Sequence, residues 1–216
     1  MEGRDVSVGR LRFSATETRD LAVAWLVLGV AFAIFFAGGG DRFLGAVQRG
    51  EGVTLVVVSL LTAGVAFLLH ELAHKVVAIH FGQVAEFRAD YGMLFLAVMS
   101  ALIGFLFAAP GAVHHRGMLT ERQHGLIALA GPVTNVILAV VSLPIAVAGS
   151  ALGSDFLVQI GLYGILINLL LAAFNMIPFG PLDGRTVIGW SKVVWTLVFF
   201  PVAAVAFVVL FGSNVL

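Results

Sequence analysis

Two histidines four residues apart, His70 and His74, stand with Glu71 inside the apolar stretch Val53 to Phe81. In a helix, positions four apart lie about 40° apart around the axis and about 6 Å apart along it, so both imidazoles can reach one metal ion. Glu71 falls on the adjacent flank. Zinc suits two imidazoles of this spacing, and a carboxylate beside the first can take a proton from a water that the metal activates. The pattern spells metal-dependent hydrolysis. Its surroundings sharpen that reading, because no charged residue occurs from Gly52 to Leu69. Ionisable groups in such a segment cost about 2.5–3.5 kcal/mol each on insertion scales, and those that persist there serve function.

A catalytic zinc ion takes three protein ligands and keeps one position open for water. The chain has no cysteine, so the third ligand must be a histidine or a carboxylate. Asp183 is the best candidate. It follows the uncharged span Phe156 to Leu182, and Gly184 after it allows a tight turn towards another helix. The alternative is an aspartate that merely ends a membrane helix at the interface. Asn175 lies two helical turns earlier, with Pro178 breaking the ladder between them. Polar, irregular backbone at membrane depth is tolerated only when buried in protein or lining a watery cavity. His80 lies six positions beyond His74, off its helical face, and His114 and His115 sit in a polar loop without a carboxylate. None of these three is expected to bind the ion.

The elements that must carry these residues are membrane helices. Apolar residues make up 60% of the chain and charged residues 11%, with a mean hydropathy of +1.06, which moves the chain out of the soluble class. Twelve basic residues balance twelve acidic ones, so nothing points to nucleic acid. The expected fold is an all-α polytopic membrane protein with about five transmembrane helices, plus a re-entrant or sixth hydrophobic segment. Residues 1–20 are expected to form a cytoplasmic tail and residues 21–216 a single integral-membrane domain, without a separate soluble domain.

Leu21 to Gly40 is long enough to cross about 30 Å of hydrocarbon, and Gly38-Gly39-Gly40 ends it. Asp41 to Gly52 reads as a polar connector, Val53 to Phe81 as the second span, and Gly82 as its C-cap. Near-alternation from Gln83 to Tyr91 predicts a short strand or hairpin at the membrane surface. Met93 to Val113 is uncharged but interrupted by Gly104, Pro110 and Gly111, and its length permits either a spanning helix or a re-entrant hairpin. His114 to His124 reads as a loop, Gly125 to Ser154 as a span bent at Pro144, and Val193 to Leu216 as a last span kinked near Pro201.

Basic residues collect on the cytoplasmic side of short loops. If Met93 to Val113 does not cross, Arg4, Arg10, Arg12, Arg19, Lys75, Arg88, Arg116, Arg122, Arg185 and Lys192 fall on one side, leaving Arg42 and Arg49 on the other. If it crosses, the two sides come out equal. The asymmetric solution is expected, with a cytoplasmic N-terminus in a multi-pass protein of the cell membrane. The spans bearing His70 and Asp183 then run in the same direction, and their polar ends lie towards the cytoplasmic face.

His70-Glu71-Leu72-Ala73-His74, followed about a hundred residues later by Asn175-Met176-Ile177-Pro178-Phe179-Gly180-Pro181-Leu182-Asp183-Gly184, closely resembles the site-2 protease family of intramembrane zinc metalloproteases. Gly131-Pro132-Val133-Thr134-Asn135 is similar to the Gly-Pro motif of that family's third core helix. The resemblance covers roughly residues 53–184 and implies one zinc ion held by His70, His74 and Asp183. It further implies Glu71 as general base and Asn175 as a residue near the substrate or the developing oxyanion. Asn135 is expected to hydrogen-bond across the bundle or to act in catalysis. The implied activity is an intramembrane endopeptidase working on single-span membrane proteins within the lipid bilayer. The alternatives are a zinc transporter or metal-binding membrane protein using the same ligands, and an inactive binding module. Met93 to Val113 is longer than the family's usual link between its second and third core helices.

Overall fold

The structure is a computed structural model describing residues 6–8, 11–107 and 110–212. Its chain forms two compact units, one of Met1–Leu68 with Glu86–His114 and one of Leu69–Ala85 with His115–Leu216.

In the first unit, β1 (Val6–Val8) and β2 (Leu11–Phe13) pair antiparallel, with Val6 opposite Phe13. The described residues of the expected tail are therefore two paired strands and the start of a helix, with residues 1–5, 9 and 10, Arg4 and Arg10 among them, outside the described residues. The helix is α1 (Ala15–Phe36), which starts six residues before the expected span because Ser14 caps it, accepting from the Glu17 N–H. Glu17 and Asp20, three apart on one face of α1, are buried. They accept from alternate backbone N–H groups of the strand that follows the metal-motif helix, Phe87 N to Glu17 Oε1 at 3.0 Å and Ala89 N to Asp20 Oδ2 at 3.3 Å. Tyr91 donates its hydroxyl to Asp20 at 2.8 Å, and the Ser14 hydroxyl donates to Glu86. Two acidic groups of the expected polar tail thus satisfy one edge of a strand.

The expected connector at 41–52 is largely α2 (Gly40–Gln48), an amphipathic helix with Leu44 and Val47 exposed. Next come α3 (Gly52–Ser59), a π-helical turn (Leu60–Gly64) and α4 (Val65–His80), together one 29-residue apolar segment matching the second expected span. The π turn frees a carbonyl, and Trp25 Nε1 donates to Leu60 O at 3.0 Å. Ala24, Leu28 and Ile34 of α1 share a buried core with Phe67, Phe87 and Leu94.

The expected strand at 83–91 is β3 (Val84–Ala89), and its partner is β4 (Gly111–Arg116), which takes up the end of the uncharged segment and the start of the expected loop at 114–124. Between them, α5 (Tyr91–Leu102) has 12 residues, a length of about 18 Å against about 30 Å of hydrocarbon. The segment Met93 to Val113 is therefore a short helix followed by a strand, and it lacks the helix length to cross.

In the second unit, α6 (Glu121–Leu152) starts on a capping box in which Thr120 and Gln123 satisfy each other's backbone, and it contains Pro132 and Pro144. Its end leads through Gly153 and Ser154 into α7 (Asp155–Asn175). A Cβ on Gly149 would meet Val158, one on Gly161 would meet Ala146, and one on Gly164 would meet Ser142. Those pairs run in opposite senses, so the two helices lie antiparallel with backbones close enough for side chains to bond across, as small residues allow in membrane bundles. Then come α8 (Asp183–Trp190) and α9 (Lys192–Gly212), with Trp195 Nε1 donating to Met176 O at 2.8 Å. The fold is all-α and polytopic. Five segments, Ala15–Phe36, Gly52–His80, Glu121–Leu152, Asp155–Asn175 and Lys192–Gly212, are long and apolar enough to cross a membrane.

Candidate metal centre

All the ligand candidates lie in the second unit. The α4 helix sets His70 and His74 one turn apart, with ring centroids 4.7 Å apart and planes at 81°. Both are buried, at 4% and 8% exposure. Asp183 arrives on the first turn of α8, which begins where the turn after Asn175 ends. That turn reverses at Gly180, whose φ of 59° lies in the left-handed region. The sequence reading assigned this role to Gly184. Instead, Gly184 is where α8 presses on the Met176 carbonyl and comes near Ile177 O, leaving no space for a side chain.

Asp183 Oδ2 lies 3.2 Å from His70 Nε2 and 3.3 Å from His74 Nε2. The three residues offer ligand atoms that all lie within 4.8 Å of one another. Ligands about 2.0 Å from a tetrahedral zinc ion stand about 3.3 Å apart, so the spacing fits. Asp183 Oδ2 is also buried without a hydrogen-bond partner, a condition that costs free energy unless a cation sits against it. Burial would raise the Asp183 carboxyl, but positive charge on His74 and His70, the charge that a bound metal ion would supply in its place, outweighs it and holds the group down at about 2. It therefore offers an anionic oxygen at neutral pH.

The other ring nitrogens are committed elsewhere. His74 Nδ1 lies 2.7 Å from Ile127 O; a carbonyl only accepts, so Nδ1 carries a proton, and in the neutral ring Nε2 is the nitrogen left with a lone pair for a metal. Ile127 belongs to α6, five residues before Pro132. His70 Nδ1 lies 2.5 Å from Asn135 Oδ1. Asn135, at the end of the Gly131-Pro132 motif, thus supports His70 from behind, and Ile127, four residues before that motif, supports His74. In front of them, a Cβ on Gly131 would stand 2.5 Å from each Nε2. Overpacking of this kind costs about 1–3 kcal/mol, so Gly131→Ala should weaken zinc binding by about tenfold or more. Competition with a chromophoric chelator would measure it, and circular dichroism should show the helices intact.

Glu71 follows His70 in the helix and is 8% exposed. Asn175, the last residue of α7, donates its side-chain N–H to Leu171 O of its own helix at 3.0 Å, so this nitrogen is engaged locally rather than with the ligand cluster. Asn168, which the sequence reading passed over, donates to Gly164 O and accepts from Asn135. Its signal was available: an amide side chain in an uncharged span.

The chain is 36% identical over 192 residues, 88% of its length and 92% of the relative's, to "Putative zinc metalloprotease MJ0611" of Methanocaldococcus jannaschii. It is 32% identical over 166 residues to "Putative zinc metalloprotease YwhC" of Bacillus subtilis, covering 68% of this chain and 73% of the relative. With "Putative zinc metalloprotease sll0528" of Synechocystis it shares 32% identity over 156 residues, 68% of this chain and 35% of the relative. No protein-family model matches the chain, and no solved structure matches it.

Proposed function

The chain belongs to a family of zinc metalloproteases, and from that premise we propose that it is an intramembrane endopeptidase of the site-2 type, cutting single-span membrane proteins within or near their transmembrane segments. The observation that carries this reading is the His70, His74 and Asp183 cluster, borne by and immediately following helices long and apolar enough to cross a membrane. Those three residues would hold the ion. When bound, zinc supplies a Lewis acid that polarises the scissile carbonyl and makes water nucleophilic near neutral pH.

Glu71 takes the proton that water loses and later delivers it to the leaving amine. It neighbours His70 in α4 and is not among the three residues whose ligand atoms cluster. Asn175, at the mouth of the turn that brings in Asp183, keeps a side-chain carbonyl for a substrate N–H while its own N–H is held by Leu171. A helical substrate hides its carbonyls in hydrogen bonds, so it must be held extended to be cut. A transporter would need a path through both faces and has no use for a carboxylate beside the first histidine.

In the orientation with the N-terminus cytoplasmic, the short α5 leaves the loop after β4 on the cytoplasmic side. Because the chain has no native cysteine, single-cysteine labelling of intact cells reads this directly. Cysteine at Leu44 or Leu152, both exposed, should react with an impermeant thiol reagent from outside. Cysteine at the fully exposed Met118 should react only after permeabilisation. Labelling of Met118→Cys from outside would reverse the later helices. The activity itself is tested by co-reconstituting the protein with a single-span reporter in sealed vesicles. Chelator-sensitive cleavage inside the apolar segment supports the reading, whereas zinc flux without cleavage of any reporter sinks it.

A further inference from the structure

The Gly164 carbonyl oxygen can only accept a hydrogen bond. Asn168 therefore presents its NH2 group to it, 2.8 Å away, and turns its Oδ1 towards α6. Asn135 answers with its own NH2 group at 2.9 Å. That leaves the Asn135 oxygen 2.5 Å from His70 Nδ1. An amide oxygen only accepts, so His70 Nδ1 must carry the proton, and Nε2 keeps its lone pair on the side of Asp183. We propose that Asn168 is a positioning residue of the metal centre, one that acts through Asn135 to impose on His70 the tautomer whose Nε2 can bind a metal.

The two histidines obtain the same protonation pattern by different routes. His74 bonds a backbone carbonyl directly, and a carbonyl cannot reverse its polarity. His70 bonds an amide side chain, which can turn over and offer its NH2 group instead; the imidazole would then be held as the Nε2–H tautomer, unable to bind metal. Asn168 removes that freedom. It is 3% exposed and Asn135 is fully buried, so water does not compete for the contact. The close approach of α6 and α7 at Gly161 and Gly164 holds the pair in register.

This inference rests on the reading of His70 as a ligand, and the experiment separates the two. Purified full-length protein is loaded with cobalt(II), whose absorption reports the ligand set, and with zinc in competition with a chelator. Failure of the wild type to bind metal in a His70-dependent manner overturns the zinc reading itself, and the inference with it. Given His70-dependent binding, Asn168→Leu should weaken zinc by at least about tenfold, the lower end for loss of a hydrogen-bonding partner behind a ligand. In the metal-free protein, 15N signals of His70 should move from the Nδ1–H towards the Nε2–H pattern. Asn168→Asp still accepts from the Asn135 NH2 group whether ionised or not, so it should bind zinc within about threefold of wild type. In an Asn135→Ala background, Asn168→Leu should weaken binding no further.

Wild-type zinc affinity and an unchanged His70 tautomer in Asn168→Leu would overturn the proposal. So would an Asn168→Asp protein as impaired as Asn168→Leu, since an acceptor for the Asn135 NH2 group would then not be what the site needs from this position. Should Asn168→Leu fail to fold, as judged by thermal melting, Asn168→Ala takes its place in the same comparison.

Discussion

Glu71→Gln should keep its zinc and lose at least about a hundredfold in cleavage of a membrane-embedded reporter. The substitution preserves size and most hydrogen bonding but removes the only function claimed for the residue, acceptance of a proton. General acid–base catalysis contributes typically about 10²–10⁴-fold, so the lower end of that range is the least that should be seen. Zinc content should stay near one ion per chain, because the cluster of donors consists of His70, His74 and Asp183 without Glu71. The measurement pairs metal analysis with single-turnover cleavage in the same vesicles. Proteolysis at the wild-type rate would remove Glu71 from the mechanism. Loss of zinc along with activity would make Glu71 a ligand rather than a base.

Asp183→Ala should strip the protein of zinc. Structural zinc sites bind with about 10–16 kcal/mol of apparent free energy near neutral pH. If a third of the lower figure belongs to each of three ligands, loss of one costs about 3 kcal/mol, or about a hundredfold in affinity. The same change removes the only carboxylate among the three ligand residues, leaving two neutral imidazoles to balance a dication. Metal analysis after dialysis against a weak chelator should therefore show an empty protein where wild type retains its ion. Asp183→Asn keeps the shape but loses the charge that burial alone would have disfavoured, and it should fall on the side of Asp183→Ala. Wild-type occupancy in Asp183→Ala would mean that the third ligand lies elsewhere and that the 3.2 and 3.3 Å approaches are ordinary ion pairs.

His70 and His74 were legible because their relation is local. One helical turn is a property of the backbone, and any helix through those residues puts the imidazoles side by side. The five described segments long and apolar enough to cross a membrane were legible for a similar reason, since hydrocarbon thickness and the rise per residue translate directly into run lengths of apolar residues. The strand at 84–89 followed from alternation. Asp183, the candidate third ligand, was reached through zinc's coordination rule and a family likeness, with no geometric link between Asp183 and His70 in the chain itself.

What only the tertiary structure decided concerns groups whose partners are distant. Residues 41–52 read as a connector because they are polar, yet most of them form α2. Glu17 and Asp20 lie in the stretch read as a polar tail, yet they accept from Phe87 and Ala89 some seventy residues away. Gly184 was taken for the turn that Gly180 makes, because glycines announce close approach and left-handed backbone with the same letter. Asn168 was passed over, because an asparagine in an apolar span shows that some hydrogen bond must exist but not with what. Periodicity and run length describe each helix separately; which polar faces meet depends on how helices rotate and how closely their backbones approach, and that is set by packing of the whole bundle. The chain alone set a His-Glu-x-x-His helix among apolar spans and singled out Asp183, and the fold showed that this carboxylate meets the two imidazoles and that Asn135 and the Ile127 carbonyl stand behind them.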